Sequence, residues 1–532
     1  IRILTGVVVL FAAFACVAQE ALPARWTEAD GNSISVLNGR FCDQHGRQVL
    51  LRGVNVDEKS RGAGYIGWQT AFDYERLGEW GFNCIRFCIF WDGVEPECGK
   101  YDDAYLAKVD ERIAWAKKNG IFVILDMHQD LWGPKIPGAD GAPAWATLDD
   151  DKPHATGVVW SDAYYLSQQV QRAFDNFWAN KPGPDGVGIQ DRFALAWQHV
   201  AQRYANEPAV VGFDILNEPS SGSAILGAPI ALLPHVMKIF GTDANGQSIG
   251  IVDLISRFLD DSKRSEMLAK LDDIEVFRTV VDALAPVFLT HERTQLQPMY
   301  QRVADAIRKV DRRHILFIEP QSASNVGVRS ELQPVLGADG QPDPQQALAP
   351  HAYDLTTDTP NVDKTSSARV EFILSRAVEH GKAVGLPVLI GEWGAYYGSD
   401  KAVPVARAMA GLLDRFQLSN TYWSHGRKMN ELVFFDALSH PYPASTAGAA
   451  TEFTYDFETG AFHGKWVEDP SMQVPTRIYL PKRCYPNGYE VEVKPSGRGY
   501  GAQALPGNEG NEYLAILPTG DLDDREIAVT RK

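Results

Sequence analysis

The sequence is poor in cysteine and in positive charge, and both shortages restrict what the protein can do. Six cysteines occur in 532 residues, and no two form a Cys-x-x-Cys pair, so neither a zinc site nor a disulfide-dense scaffold is indicated. Lysine and arginine number 51 against 68 acidic residues, which gives a net charge of −17. Nucleic acids and anionic membranes attract clustered positive charge. We therefore expect no nucleic-acid partner, and neutral substrates fit best.

The apolar stretch at the N-terminus is too short to span a membrane. Arg2 is followed by apolar residues from Ile3 to Ala18, fewer than the roughly 20 that a spanning helix needs and typical of a signal-peptide core. We therefore expect residues 1–20 to be a signal peptide and the protein to be secreted or periplasmic. A lipid anchor through Cys16 is disfavoured, because Phe14 stands where a lipoprotein signal has a small residue.

Removal of this segment leaves five cysteines, an odd number that does not suit a disulfide framework. Cys84 and Cys88 are four residues apart in one predicted strand, which separates them by about 13 Å, too far for a bridge. Two interpretations of these cysteines remain: all of them are thiols that pack as small apolar groups, or one pair forms a single disulfide bridge.

Short β-branched runs alternate with amphipathic helical stretches from about residue 49 to 430, and this alternation predicts the fold. Eight such units favour a (β/α)₈ barrel over residues 21–436. After residue 437, apolar and polar residues alternate around Pro-Asn and Asn-Gly turns, which predicts a small antiparallel β-sandwich over residues 437–532. The predicted barrel strands cover residues 49–56, 82–91, 121–130, 210–219, 314–321, 347–354, 387–394 and 420–426.

Nearly every predicted strand ends in polar or aromatic residues, at the end of a barrel where active sites lie. Glu218 follows the fourth strand in "NEP", and Glu392 lies in "GEWG" at the seventh. Strands four and seven face each other across a barrel mouth, so both carboxylates can reach one ligand. A pair of carboxyl groups is what glycosidic bond cleavage needs, one as acid and one as base or nucleophile. Alone, either glutamate would be read as a surface ion-pair partner.

The strand-end motifs resemble family 5 glycoside hydrolases. "LRGVNV", "DMHQD", "GADGAPAW", "VQRAFDNFW" and the C-terminal β-domain are similar to the endoglycoceramidase branch of that family. The resemblance implies a retaining mechanism with Glu218 as acid/base and Glu392 as nucleophile. It also implies a glycosphingolipid substrate, cleaved between glycan and lipid. An endoglucanase, a steryl β-glucosidase and a sugar-binding protein without catalysis are the alternatives.

Three further polar residues are placed near the site by strand alternation. Arg86 shares a strand face with Cys84 and Cys88, and inside the barrel its guanidinium would need an anion such as Glu392, or else a salt bridge in the barrel wall. His128 and Asp130 lie on the same side of strand three and can bind sugar hydroxyls. As a metal site the pair is incomplete, because no third ligand is evident.

The remaining candidates come from strands six and eight and from the resemblance. His351 and Tyr353 end strand six, with the tyrosine placed to bind the nucleophile, and Trp423 on strand eight would stack on a sugar or pack in the core. Asn217 resembles the family's amide that holds the sugar 2-hydroxyl, and Lys59 resembles its sugar-binding lysine. We expect a monomer that binds a glycolipid or oligosaccharide without a metal or cofactor.

Residues 224–241, "AILGAPIALLPHVMKIFG", are unusually apolar for a segment at a barrel mouth. Exposed, they would form a patch that contacts a lipid surface; the alternative is a helix packed on the barrel. The apolar members of this run are Ile225, Leu226, Ile230, Leu232, Leu233, Val236, Met237, Ile239 and Phe240. Downstream, "GQSIG" matches the serine-hydrolase motif, but a polar turn precedes it instead of a buried strand, so we interpret it as a chance match.

Overall fold

A computed structural model describes residues 33–532 with short gaps, namely residues 158, 243–246, 251–252, 254–260, 358, 360, 498, 506 and 508. The predictions about the signal peptide and Cys16 lie outside the described residues.

Eight parallel strands form the predicted barrel. Their bounds are β1 Arg52–Val56, β2 Cys84–Ile89, β3 Phe122–Met127, β4 Val210–Asp214, β5 Ile315–Ile318, β6 Gln346–Leu348, β7 Leu389–Gly394 and β8 Ser419–Trp423. Neighbouring strands pair in the order β7-β8-β1-β2-β3-β4-β5-β6, and parallel bridges from Leu348 to Val388 and from Ala352 to Trp393 link β6 to β7 and close the ring. The strands are buried on both faces, as expected where helices cover a parallel sheet.

Helices surround the barrel and pack their apolar faces against it. The described α-helices are Ala71–Glu79, Trp91–Val94, Asp103–Lys118, Ala163–Leu166, Gln168–Trp178, Ile189–Tyr204, Gly227–Phe240, Asp261–Lys270, Ile274–His291, Gln297–Ile307, Ser367–Val384, Val403–Arg415 and Phe435–Leu438. One π-helical turn, Glu292–Leu296, joins two of them. Short 3₁₀ turns occur at Arg61–Ala63, Ala144–Ala146, Trp160–Asp162, Gly222–Leu226, Ser322–Val326, Val362–Lys364, Asp400–Ala402, Met429–Glu431 and Lys482–Cys484.

Two antiparallel sheets form the C-terminal domain and share one apolar core. The smaller sheet contains Gly448–Tyr455, Phe462–Glu468, Asp524–Arg531 and Tyr489–Lys494. The larger sheet has seven strands: Ser35–Leu37, Arg40–Cys42, Gln48–Val49, Tyr442–Thr446, Thr476–Leu480, Glu512–Ile516 and Tyr500–Ala504. Three of these seven come from the N-terminal segment, which the domain boundary drawn from the sequence assigns to the barrel.

The interior of the barrel contains a layer of apolar side chains beneath the mouth, contributed by alternating positions of the strands. This layer includes Cys84, Phe122, Ile124, Val211, Ile315, Phe317 and Leu389. Cys84 therefore faces inward, and Arg86, on the same strand face, lies one step nearer the mouth. All five cysteines among the described residues are free thiols, and four of them are buried.

Candidate active site

Arg86 lies at the floor of the barrel mouth, and its side chain has no exposed surface. It donates through Nε to Asp214 at 2.8 Å and through Nη1 to Glu392 at 2.7 Å. Both interpretations of this residue are therefore true: the guanidinium binds the predicted nucleophile and also forms salt bridges with carboxylates of the barrel wall. Its other partners, all 2.8–3.1 Å away, are Asn55, Asp126, Asn217 and Glu319.

The carboxylate of Glu392 is held from both sides. Oε1 accepts from Arg86, and Oε2 accepts from the hydroxyl of Tyr353 at 2.8 Å. Burial raises the pKa of Glu392 above its ordinary value of 4.5, and the positive charges of His351 and Arg86 oppose that rise. Because both oxygens are fixed by donors, the carboxylate has one orientation at the end of β7.

Glu218 reaches the site from a backbone conformation that few non-glycine residues adopt. Its φ is 41°, in the left-handed region, where a residue persists only when the surroundings hold it. The surroundings do so: Gln129 donates to the carbonyls of Asn217 and Glu218 at 2.9 and 3.2 Å, and the Glu218 N–H donates to Glu319 at 2.8 Å. The Asn-Glu-Pro sequence after β4 is thus a turn that aims a carboxyl group into the mouth.

His351 joins the two catalytic candidates. Its Nδ1 lies 2.7 Å from Oε1 of Glu218 and 3.5 Å from Oε2 of Glu392. Burial lowers the pKa of His351, but the carboxylates of Glu319, Glu392 and Glu218 together raise it well above 6.5. This shift favours the protonated imidazole, whose Nδ1–H donates to the Glu218 carboxylate, and one oxygen of each glutamate and a ring nitrogen of His351 lie within 4.8 Å of one another.

Three wall carboxylates surround the guanidinium, and sequence reasoning did not single them out. Burial and the neighbouring Glu319 raise the pKa of Asp214 well above 3.8, whereas Arg86 and His128 outweigh burial and lower that of Asp126. The two aspartates therefore differ in proton affinity although both touch Arg86. Their position in the sequence could have identified them, since Asp126, Asp214 and Glu319 all lie near the ends of predicted strands.

Lys59, Asp130, His128 and Trp423 form a second group beside the first. The ammonium of Lys59 pairs with Asp130 and lies 4.5 Å from the centroid of the Trp423 ring. Trp423 stacks on His128 with ring centroids 5.3 Å apart and planes 12° apart. His128 binds Asp126 at 2.8 Å, and Asp126 contacts Arg86, so the two groups are continuous. Trp423 is half-buried.

Asp140 supplies the third polar group that the sequence did not reveal next to His128 and Asp130. It comes from the loop after β3, which returns so that Asp130 and Asp140 form a β-bridge. Burial and the charge of Asp130 raise the pKa of Asp140 to about 7. The three residues have the composition of a metal site, but Lys59 already provides a cation at Asp130, which opposes the binding of a second one.

The apolar run after Glu218 forms the helix Gly227–Phe240, which packs against helix Ile274–His291. Large side chains nevertheless point into solvent: Leu226 is 51% exposed, Ile230 77% and Leu233 40%. These residues recur at helical spacing on one side, and we call them the apolar ridge. By length and composition the segment Gly222–Phe240 could span a membrane, and only 17% of it is buried.

Two members of the run do not belong to an exposed patch. Ile225 is buried, and Phe240 is buried in a small cluster with Ile249.

The serine of the "GQSIG" match, Ser248, is exposed and lies in a β-bridge with Thr242. A nucleophilic serine needs a sharp turn between a buried strand and a helix, so this residue lacks the context of a hydrolase motif.

All ten residues predicted for the site are brought together at the carboxyl end of the barrel. The barrel fold and the arrangement of these residues are those of a glycosidase that uses two carboxyl groups. Residues 42–429 match the family described as cellulase (glycosyl hydrolase family 5), and residues 440–529 match the glycoside hydrolase family 5 C-terminal domain. The chain belongs to glycosyl hydrolase family 5 and is a glycoside hydrolase.

Within the family, the chain is similar to endoglycoceramidases. It is 26% identical over 497 residues to endoglycoceramidase I of Rhodococcus hoagii (strain 103S), an alignment that covers 89% of this chain and 83% of that protein. Endo-glycoceramidase II from Rhodococcus sp., solved with a five-membered iminocyclitol, is 27% identical with a TM-score of 0.69, covering 93% of this chain and 99% of that one. Its complex with ganglioside GM3 aligns at 25% identity and a TM-score of 0.69, covering 93% and 100%.

Proposed function

We propose that this hydrolase is a retaining β-glycosidase that releases an intact glycan from a lipid aglycone. The retaining mechanism is supported mainly by the short distance between Glu218 and Glu392, whose nearest carboxyl oxygens lie within 4.8 Å of each other. Retaining enzymes hold the two carboxyl groups about 5–5.5 Å apart, whereas inverting enzymes leave about 6.5–9.5 Å for a water molecule. The short separation supports attack by the carboxylate itself.

In the proposed reaction Glu392 attacks the anomeric carbon while Glu218 protonates the departing oxygen. Glu218 then removes a proton from water, which displaces Glu392 and regenerates the enzyme. Arg86 and Tyr353 hold both oxygens of Glu392, and these donors keep the nucleophile oriented for the attack. Glu218 takes no part in binding Arg86, which leaves it free to exchange its proton.

The second group of residues is proposed to bind the sugar. Lys59 and Asp130 offer a donor and an acceptor for hydroxyl groups, and the half-buried Trp423 ring offers an apolar face for stacking. Asn217 uses its amide oxygen on Arg86 and its NH₂ group on the Gln129 carbonyl at 3.1 Å. A sugar 2-hydroxyl would share this amide.

Two independent features support a lipid aglycone. Two of the similar proteins, aligned over most of this chain, are named endoglycoceramidases, and one of these was solved with a ganglioside. The apolar ridge begins eight residues after Glu218, and alkyl chains gain about 0.8 kcal/mol for each CH₂ that they bury there. The same exposure supports a transient contact between the ridge and a glycolipid surface.

Product analysis tests the substrate class. Purified enzyme is incubated with a mixture of glycosphingolipids, steryl glucosides and cellulose oligomers, and products are identified by mass spectrometry. Intact glycans together with free ceramide are the expected result. Release from the sterol or the cellulose oligomers alone would instead favour the steryl glucosidase or endoglucanase alternative.

Stereochemistry and one isosteric variant test the mechanism. Proton NMR of the first product should detect the β-anomer, and an inverted α-product would reject the role of Glu392 as nucleophile. Glu392→Gln keeps the shape and should lower turnover by about 10⁴-fold or more without loss of fold. A fully active variant would leave a sugar-binding protein, or a different nucleophile, as the explanation.

Export is proposed from the N-terminal stretch alone. Arg2 and the apolar residues Ile3 to Ala18 suit a signal peptide. Expression of the full gene followed by cell fractionation, with N-terminal sequencing of the exported form, tests this proposal. Accumulation of uncleaved protein in the cytoplasm would reject it.

A further inference from the structure

Glu218 receives two hydrogen bonds on the same oxygen. His351 donates from Nδ1 to Oε1 at 2.7 Å, and Asn325 donates from Nδ2 to the same Oε1, also at 2.7 Å. A carboxylate oxygen has two lone-pair sites, and both sites of Oε1 are therefore used. Among the residues that the structure describes, none donates to Oε2.

Asn325 is held in place by its own segment and by both neighbouring strand ends. It lies in the 3₁₀ turn Ser322–Val326 after β5. The turn is attached to the Asn-Glu-Pro segment, since the Ser322 N–H donates to the Pro219 carbonyl at 3.1 Å. The Tyr353 N–H donates to the Asn325 carbonyl at 2.9 Å. Its amide is thus aimed at Glu218 by a backbone that bridges the ends of β4 and β6.

We propose that Asn325 is a positioning residue that, with His351, keeps Oε1 of Glu218 as an acceptor and directs the catalytic proton to Oε2. This proposal rests on the proposed function, in which Glu218 is the general acid. The proton on Oε2 passes to the glycosidic oxygen as the bond to the anomeric carbon breaks, and Glu218 is left as a carboxylate with two donors on Oε1. The same two donors stabilise that charged product of the step.

The amide and the imidazole have different tasks. His351 also lies 3.3 Å from Glu319 and 3.5 Å from Glu392, so its loss would disturb the whole site. The Asn325 amide is neutral, and its only side-chain hydrogen bond among the described residues is to Glu218. Substitution of Asn325 therefore changes the acid with little effect on the nucleophile.

The test compares two substrates that share the glycan released by the wild-type enzyme. One carries a dinitrophenyl leaving group, which departs without protonation, and the other carries an alkyl alcohol, which needs the acid. For Asn325→Ala we expect kcat/KM on the alkyl glycoside to fall by about 10- to 100-fold, and kcat/KM on the dinitrophenyl glycoside to stay within about threefold. The alkaline limb of the pH–rate profile should move to higher pH, because a donor that favours the ionised carboxylate is lost.

Two further variants keep the test decisive. Asn325→Asp has the same shape but faces Glu218 with a like charge, so its alkaline limb should move at least as far as that of Asn325→Ala. Ser324→Ala alters the neighbouring residue, whose hydroxyl accepts a hydrogen bond from the Gln321 amide and is not bonded to Glu218. This variant should behave as wild type. Equal losses on both substrates, or no loss on either, would overturn the proposal. A wild-type enzyme inactive on both glycosides would instead reject the proposed function.

Discussion

Arg86 donates through Nη1 to Oε1 of Glu392 at 2.7 Å, and the arginine has no exposed surface. The same guanidinium contacts Asp126, Asp214 and Glu319. One cation therefore pairs with three carboxylates of the barrel wall and orients the proposed nucleophile, so chemistry and stability depend on one side chain.

Replacement of Arg86 should affect activity and stability together. Arg86→Ala leaves buried carboxylates without a partner, which costs about 3–5 kcal/mol of the free energy of unfolding. Arg86→Lys keeps the positive charge but loses the planar guanidinium, which donates to several acceptors at once. This variant should lower kcat/KM by about 10²-fold or more. Kinetics and urea unfolding measure the two effects. Arg525→Lys is the matched control: Arg525 is fully buried beside Glu468 in the C-terminal domain, so it should lose stability and keep kcat/KM. Near-full activity of Arg86→Lys would assign the guanidinium to the barrel wall alone.

Replacement of the apolar ridge should separate lipid substrates from soluble ones. We expect Leu226→Ser, Ile230→Ser and Leu233→Ser, combined in one variant, to raise KM for glycolipid in mixed micelles by about tenfold. Hydrolysis of a soluble aryl glycoside should stay unchanged. Leu522→Ser is the control, since Leu522 is 72% exposed in the C-terminal domain. Unchanged KM for glycolipid would remove the physical support for a lipid aglycone.

Phe240→Ser should give a different result, because this ring is buried. Its removal should lower the free energy of unfolding by about 3 kcal/mol and reduce activity on both substrates equally.

Asp140→Asn should stabilise the protein at alkaline pH. The pKa of Asp140 is raised to about 7 from 3.8, first by burial and then by Asp130. The folded protein therefore binds this proton more tightly than the unfolded chain, and stability is lost as pH rises through about 7. Relative to wild type, the variant should gain on the order of 2–4 kcal/mol at pH 8.5 compared with pH 4. Urea unfolding at both values measures the change, and exposed Glu379→Gln provides the control. An equal difference at the two pH values would contradict this assignment.

Lys59 and Asp130 should behave as one unit in substrate binding. Lys59→Met keeps the aliphatic stem over Trp423 but removes the ammonium from Asp130, and Asp130→Asn removes the carboxylate from the ammonium. Each single variant should raise KM by about tenfold or more, whereas the double variant should lose less than the product of the two. A double-mutant cycle on KM for the aryl glycoside checks this coupling. Strict additivity would show that the two residues act on the substrate separately.

The barrel and the catalytic pair could be predicted because their signals are local. Strand-ending residues such as Glu218 and Glu392 are fixed in place once the alternation of strand and helix is recognised. Asp126, Asp214 and Glu319 were equally visible at strand ends. Their inward orientation depends on the register of each strand in the closed barrel, which a single chain pattern does not determine.

Contacts made by loops could not be predicted. Asp140 reaches Asp130 because the loop after β3 folds back on itself, and Asn325 lies in a turn with no periodic pattern. The exposure of Ile230 and the burial of Phe240 depend on which side of their helix meets its neighbours. These features come from tertiary packing, to which local sequence patterns are insensitive.

In the seven-stranded sheet, strands from the N-terminal segment pair with strands of the C-terminal domain, so the N-terminal segment needs that domain to complete its pairing. Gln48–Val49 pairs with Tyr442–Thr446, and β1 starts at Arg52, three residues further on. A ribosome therefore completes about 390 residues before the segment leading into the first barrel strand meets its partner. Truncation after residue 436 would strip that pairing and expose an open strand edge, a template for aggregation. The C-terminal domain thus fixes the segment that leads into the first barrel strand. A recombinant barrel without this domain should aggregate and be recovered from inclusion bodies.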